Sequence, residues 1–181
     1  MSGERTRSVQ RGGFTILEVL ISTTVFMLVS GAVVTTLVVS NALNSTNRET
    51  MLASQAAQSA IEALKGATFA EVFARYNVSK LDDPAAGTSP GAGFAVRGLD
   101  VQAGDVDGLV GGIEFPGDGK ELREDEVDAE LGLPRDLNGD GAIDAGDHAA
   151  AYRILPVRIV VAWRGRTGDQ RLELLTVLTE L

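Results

Sequence analysis

Two sets of carboxylates in this chain stand at spacings that could do chemistry. The first is a single residue, Glu18, the one charge in the apolar run from Phe14 to Val39. A carboxylate in hydrocarbon costs roughly 2.5–3.5 kcal/mol on insertion scales, so its presence asks for a partner of opposite charge. The second set is Asp136-Leu137-Asn138-Gly139-Asp140-Gly141-Ala142-Ile143-Asp144-Ala145-Gly146-Asp147. With Asp136 as the first position, side-chain oxygens fall at positions 1, 3, 5, 9 and 12, glycine at 6 and an apolar residue at 8. Four carboxylates this close repel one another unless a cation joins them, and oxygen donors in such number suit a hard cation. His148, the only histidine, adjoins Asp147 and reads as a neighbour of this loop rather than a general base. No nucleophile–base spacing stands out elsewhere, so the chain is not expected to be an enzyme.

The elements that must position these groups follow from periodicity. Residues 1–13 are polar and basic, with Arg5, Arg7 and Arg11 against Glu4, and they end in Gly12-Gly13. The run Phe14–Val39 has 26 residues, which is about 39 Å of helix, against a hydrocarbon core of ~30 Å. That is too long for the apolar region of a secretory signal, and Val38-Val39-Ser40 is a poor cleavage site, so the segment reads as a transmembrane anchor. Basic residues before it place the N-terminus inside and the bulk of the chain outside. From Ser40 onward Met51, Leu52, Ala53, Ala56, Ala57, Ala60, Ile61, Leu64, Val72 and Phe73 recur at helical spacing. No proline occurs before Pro84. One helix is predicted over 14–75, loosened near Gly66, with an amphipathic half over 40–75 and a small head over 76–181.

Within the head, residues 79–92 read as an exposed loop. Short strands are predicted at Gly93–Val101 and Leu109–Phe115, and 120–135 as irregular or at most a short helix. The clearest signal is a terminal strand pair. Val157, Ile159, Val161 and Trp163 alternate on one face of Ile154–Trp163, and Leu172, Leu174, Thr176 and Leu178 on one face of Arg171–Thr179. Arg164 to Asp169 supply the hairpin loop, and Pro156 hints at an edge position. The fold class is α+β: a long N-terminal helix on a small antiparallel sheet.

Composition narrows the partners. The chain has 181 residues, 44% of them apolar, a mean hydropathy of +0.09 and a net charge of −9. Loss of residues 1–13 would leave 13 basic and 24 acidic residues, a net −11, which repels nucleic acid. Gly104–Gly119 is glycine-rich but interleaved with aspartate, which disfavours phosphate. With no cysteine, disulfides, thiolate metal sites and a lipoprotein anchor are excluded.

Gly13-Phe14-Thr15-Ile16-Leu17-Glu18-Val19, behind its basic leader, resembles the processing and assembly motif of the type IV pilin superfamily, which includes the type II secretion pseudopilins. The resemblance is close from residue 5 to about 40, general from 41 to 75, and architectural beyond. It implies cleavage after Gly13 by a prepilin peptidase, N-methylation of Phe14, and pairing of Glu18 with the terminal amine of a neighbouring subunit. The implied partners are the peptidase, other pilin or pseudopilin subunits and the inner membrane. The implied product is a structural subunit, of minor pilin or pseudopilin type, in a pilus or secretion filament.

The loop 136–147 resembles a calcium-binding EF-hand loop of the dockerin variety. That resemblance makes Asp136, Asn138, Asp140, Asp144 and Asp147 side-chain ligands of Ca2+ and Ala142 a backbone ligand, with Gly141 at the sharp turn and Ile143 tucked into the core. Pro134 ahead of the loop and the strand soon after Tyr152 leave little room for flanking helices. Two other readings stand beside the filament subunit. One is a membrane-anchored calcium-dependent binding module that never polymerises. The other is an anchored extracytoplasmic enzyme, which the lack of a nucleophile–base pair argues against.

Overall fold

A computed structural model describes residue 13, residues 15–84 and residues 89–180. The predicted leader and Phe14 lie outside the described residues. The chain divides into two units, residues 1–43 and 44–181. Helix α1, Ile16–Gly66, runs through the boundary.

In the first unit α1 is apolar and unburied, and it is long and apolar enough to cross a membrane. Its start is capped: the Thr15 hydroxyl accepts the Glu18 N–H at 3.3 Å, and the Thr15 carbonyl accepts the Val19 N–H at 3.2 Å. Thr15 and Glu18 therefore hold the first and last positions of the Thr-x-x-Glu capping pattern. Thr23, Thr24, Thr35 and Thr36 each return their hydroxyl to a carbonyl one turn back, at 2.8–3.0 Å. Hydroxyls satisfied in this way can enter hydrocarbon without exposing an unpaired donor.

In the second unit the sheet order is β1-β2-β3-β4, antiparallel throughout. The strands are β1 Gly93–Phe94, β2 Gly111–Glu114, β3 Ile154–Gly165 and β4 Gly168–Thr179. The predicted first two strands shrink to these short pieces, with an isolated Asp100–Arg164 bridge joining the chain to the sheet further along. Glycines explain the shortening. Gly111 lies under the Phe94 ring, where an added Cβ would come within 2.1 Å of a ring carbon. Glycine thus permits the close packing while weakening the strand.

The terminal hairpin forms as predicted and is longer at its tip. Twelve pairs run from Ile154↔Thr179 to Gly165↔Gly168, so only Arg166 and Thr167 make the turn. Gly168, at φ +120°, supplies the backbone that this tight turn needs. Val157, Ile159, Val161 and Trp163 are all buried, and Leu178 with half-buried Leu172 and Leu174 continues the same face. β3 is central rather than an edge strand. Pro156 is tolerated because the β2 ladder stops at Arg158, so Pro156 pairs only with Val177 of β4.

The helical cover of this face is the part of α1 from residue 44, where Ala53, Ala57 and Leu64 are buried. Small residues at the contact let a helix approach closely. The Trp163 indole N–H reaches Glu49 Oε2 at 3.4 Å, and Ser45 donates to Glu49 Oε1 at 3.0 Å, so the core tryptophan keeps a polar partner.

The single helix predicted to residue 75 instead ends at Gly66, followed by a 3₁₀ turn, Phe69–Glu71, and a short helix α2, Val72–Tyr76. The backbone turns extended at Thr68, and beyond it a side chain is inserted between the 3₁₀ turn and α2. The Tyr152 hydroxyl accepts the Phe73 N–H at 3.2 Å and donates to the Phe69 carbonyl, the two groups that would otherwise bond each other. The Phe69 and Tyr152 rings meet edge to face at 5.0 Å, and Phe73 meets Phe115 likewise at 5.1 Å. Tyr152→Phe removes the inserted hydroxyl and strands the buried Phe73 N–H, while the Phe69 carbonyl keeps the Val72 N–H. The expected cost is about 1–3 kcal/mol, read by chemical denaturation.

Candidate functional site

Glu18 stands in the first turn of α1, where the helix dipole favours a carboxylate. Among the described residues its carboxylate has no hydrogen-bond or ion-pair partner, and the structure uses only its backbone N–H. Gly13 is exposed and non-helical just ahead of the cap.

The acidic loop is built between Glu114 and Ile154, a stretch with no regular element. The segment 120–135 is therefore irregular, without the short helix that was one reading of it. Four of the five oxygen-bearing side chains fold the loop on itself. Asp136 accepts the N–H groups of Gly139 at 2.5 Å and Gly141 at 2.8 Å. Asn138 Oδ1 accepts from Asp140, Asp140 Oδ1 from Ala142, and Asp144 Oδ1 from Gly146, at 2.6–2.8 Å. Gly139 and Gly141 sit at φ +79° and +87°, which a Cβ would resist. The N–H bond at Ala142 followed by the Asn138 amide holds the Asp140 carboxyl below the usual range, and the Gly146 N–H does the same for Asp144.

Asp147, the twelfth position, differs. Its Oδ1 accepts the N–H groups of Leu122 and Ala149, both at 3.0 Å, tying the loop's end to the 120–135 segment. Ile143 is 52% exposed and does not enter the core. The core residue of the loop is instead Leu137, whose carbonyl accepts from Arg153 and Ile154 at the mouth of β3. With the chain held there, position 8 is left on the outer side of the turn.

Sequence reasoning missed the group beneath this loop. Glu124 is 0% exposed. Its Oε1 accepts the N–H groups of Leu137 at 2.7 Å and Asn138 at 3.1 Å, the second and third loop positions. Its Oε2 is buried with no hydrogen-bond partner. His148 lies alongside, its side chain 11% exposed. Its Nδ1 is 3.1 Å from Asn138 Nδ2. Its Nε2 stands between Asp144 Oδ1 at 3.2 Å and Glu124 Oε2 at 3.6 Å, within ion-pair distance of both. No spacing rule finds Glu124, since nothing in its local sequence (Arg123, Asp125, Glu126) marks it apart from exposed neighbours. Among the described residues no three His, Cys, Asp or Glu side chains are already gathered as a metal site.

A second charged cluster lies on the sheet face away from the core. Arg158 of β3 faces Glu114 at 3.4 Å, Asp128 at 2.8 Å, Glu130 at 3.1 Å and Glu173 at 3.8 Å. It thereby fastens the irregular segment to the sheet. Burial pushes the Asp128 carboxyl up, but the Leu131 N–H and the Arg158 guanidinium outweigh it and hold it below the usual range.

No family model, curated protein or solved structure matches the chain. The layout of a long apolar N-terminal helix with a small antiparallel sheet fits a pilin-like fold.

Proposed function

We propose that this protein is a non-catalytic structural subunit, of minor pilin or pseudopilin type, in a type IV pilus or type II secretion filament. The observation that carries the reading is Glu18: a carboxylate without a partner among the described residues, five residues beyond Gly13 at the head of an unburied apolar helix. In this reading a prepilin peptidase cuts after Gly13 and Phe14 is methylated. Glu18 then meets the new amine of a neighbouring subunit, neutralising two charges that would each be costly alone in hydrocarbon. The leader stays on the cytoplasmic side of the inner membrane and the head outside. Mass spectrometry of the mature protein tests this directly. The chain is expected to begin at Phe14 and to carry one methyl group; an intact Met1 start in cells that possess the peptidase overturns it.

The head carries a structural Ca2+ held by Asp136, Asn138, Asp140, Asp144 and Asp147 and by the carbonyl of Ala142. The oxygen-bearing side chains at loop positions 1, 3, 5, 9 and 12 support this, as hard donors at the spacing such a cation takes. The loop's internal hydrogen bonds do not prevent ligation, since each carboxylate offers about four lone-pair sites. Calcium is expected to raise the melting temperature of the head by several degrees and EDTA to reverse it. A ligand present at about 100 times its Kd stabilises by about 2.7 kcal/mol. An unchanged melting temperature at millimolar calcium leaves the loop a solvated turn. The anchored calcium-binding module that does not polymerise shares this loop, and only Glu18 separates the two readings.

A further inference from the structure

We infer that Thr15 is a positioning residue for cleavage after Gly13: its hydroxyl starts α1 beyond the junction and keeps the Gly13 carbonyl out of the helical ladder. The inference rests on the processing reading above. It is carried by the bounds of α1 and by one side-chain bond. α1 begins at Ile16, and Gly13 and Thr15 both lie outside it. The Thr15 hydroxyl accepts the Glu18 N–H at 3.3 Å, and the Thr15 carbonyl accepts from the Val19 N–H at 3.2 Å. Among the described residues no bond runs from the Leu17 N–H to the Gly13 carbonyl.

The residues on either side show what the hydroxyl prevents. From Ile16 to Ile21 no residue of a capping type occurs, and Ser22 is about two turns inside the helix. Upstream, the nearest residue that caps comparably is Gly13, since glycine ranks with threonine at an N-cap and far above apolar residues. Once a helix is nucleated, each added residue brings a further bond, so a start without its cap at Thr15 moves back to Gly13. That helix would place its first hydrogen bond between the Leu17 N–H and the Gly13 carbonyl. This carbonyl is the one under attack: hydrolysis adds water across the Gly13–Phe14 bond, leaving a carboxylate on Gly13 and an amine on Phe14. Engaged by Leu17 and turned along the helix axis, it is withdrawn from the donors that an active site aims at a developing oxyanion. Thr15 thus acts through the path of the backbone, without touching the reacting atoms.

Full-length precursor in detergent micelles is incubated with a prepilin peptidase, and the release of residues 1–13 is timed by mass spectrometry. Thr15→Val keeps the shape and removes the oxygen, and kcat/KM for cleavage is expected to fall about three- to tenfold. Thr15→Ser and Thr15→Asn, two good caps of different shape, are expected to stay within about twofold of the wild type. Amide exchange gives a readout apart from cleavage: the Leu17 N–H is expected to gain protection in the valine variant alone. The slowed variant still matures with time, so its incorporation into filaments persists. Equal rates for the valine and serine variants overturn the inference. A slow asparagine variant also overturns it, because the peptidase then reads the shape of the side chain. A wild-type precursor that is not cleaved overturns the processing reading itself. If the valine variant fails to enter micelles, Thr15→Ala takes its place in the same ranking.

Discussion

Glu18→Val is expected to abolish incorporation into filaments while leaving membrane insertion intact or improved. Removing the carboxylate relieves roughly 2.5–3.5 kcal/mol of insertion cost. Against this stands the loss of a favourable carboxylate at the helix N-terminus, worth typically 0.3–1 kcal/mol. The capping bond itself survives, because the Thr15 hydroxyl accepts from the backbone N–H of residue 18 and not from its side chain. Insertion therefore gains, and only a contact between subunits can lose. Thr15→Ala is the matching control: it weakens the cap, keeps the carboxylate and is expected to leave incorporation in place. Membrane fractionation and immunogold labelling of filaments measure the two effects separately. Filaments that incorporate the valine variant at wild-type levels would refute the assembly role and favour the anchored calcium-binding module.

The largest expected loss of stability away from the apolar core comes from Arg158→Met. Arg158, with a side chain 16% exposed, faces Glu114, Asp128, Glu130 and Glu173, and only Glu173 has a second cation, Arg171. The methionine keeps much of the packing volume but leaves Glu114, Asp128 and Glu130 facing one another on the sheet. Removing one member of a largely buried charge network costs about 3–5 kcal/mol, reduced here by the exposure of Glu114 and Glu130 to about 2–3. The pH dependence has a definite sign. Asp128 is held below its ordinary pKa in the folded state, so its contribution is fully present above the unfolded value near 3.9. It is lost as pH falls through the lower folded value. The wild type should lose stability on acidification below about pH 4, and the methionine variant should lose less, so the gap between them narrows. Denaturation curves at neutral and acid pH give both quantities. A gap that does not change with pH would assign the loss to packing rather than charge.

How much of this was legible in the sequence depends on the range of the interaction. The hairpin was visible because alternation along β3 and β4 is a local pattern and the buried face is apolar at every second position. The apolar half of α1 was visible for the same reason, at a helical period. The break between the 3₁₀ turn and α2 was not, because the group inserted there, the Tyr152 hydroxyl, is 79 residues from Phe73. β1 and β2 were overextended because glycines that allow Phe94 to sit against Gly111 look, in sequence, like ordinary strand positions. The acidic loop was legible as a donor pattern, yet the depth of Ile143 and the partners of Asp147 depend on other segments: Leu137 is held at the mouth of β3, and Leu122 meets Asp147. Glu124 is an acidic residue among acidic residues, distinguished only by burial. Periodicity and spacing find groups that act along the chain and miss those that act across it.

The tyrosine in the helical ladder also orders the steps by which the protein is made. β3 and β4 are the last regular elements, and Tyr152 immediately precedes β3. The Phe69 and Phe73 carbonyls have local donors in Val72 and Asn77, but the Phe73 N–H is met by Tyr152 only once that part of the chain has emerged, more than seventy residues later. At about 5–20 residues per second, translation leaves several seconds in which α1 can form from local contacts while the head waits for its centre strand. A subunit interrupted during synthesis would therefore present a finished stem and an unfolded head. The junction after Gly66 becomes a checkpoint, closed only by the far end of the chain.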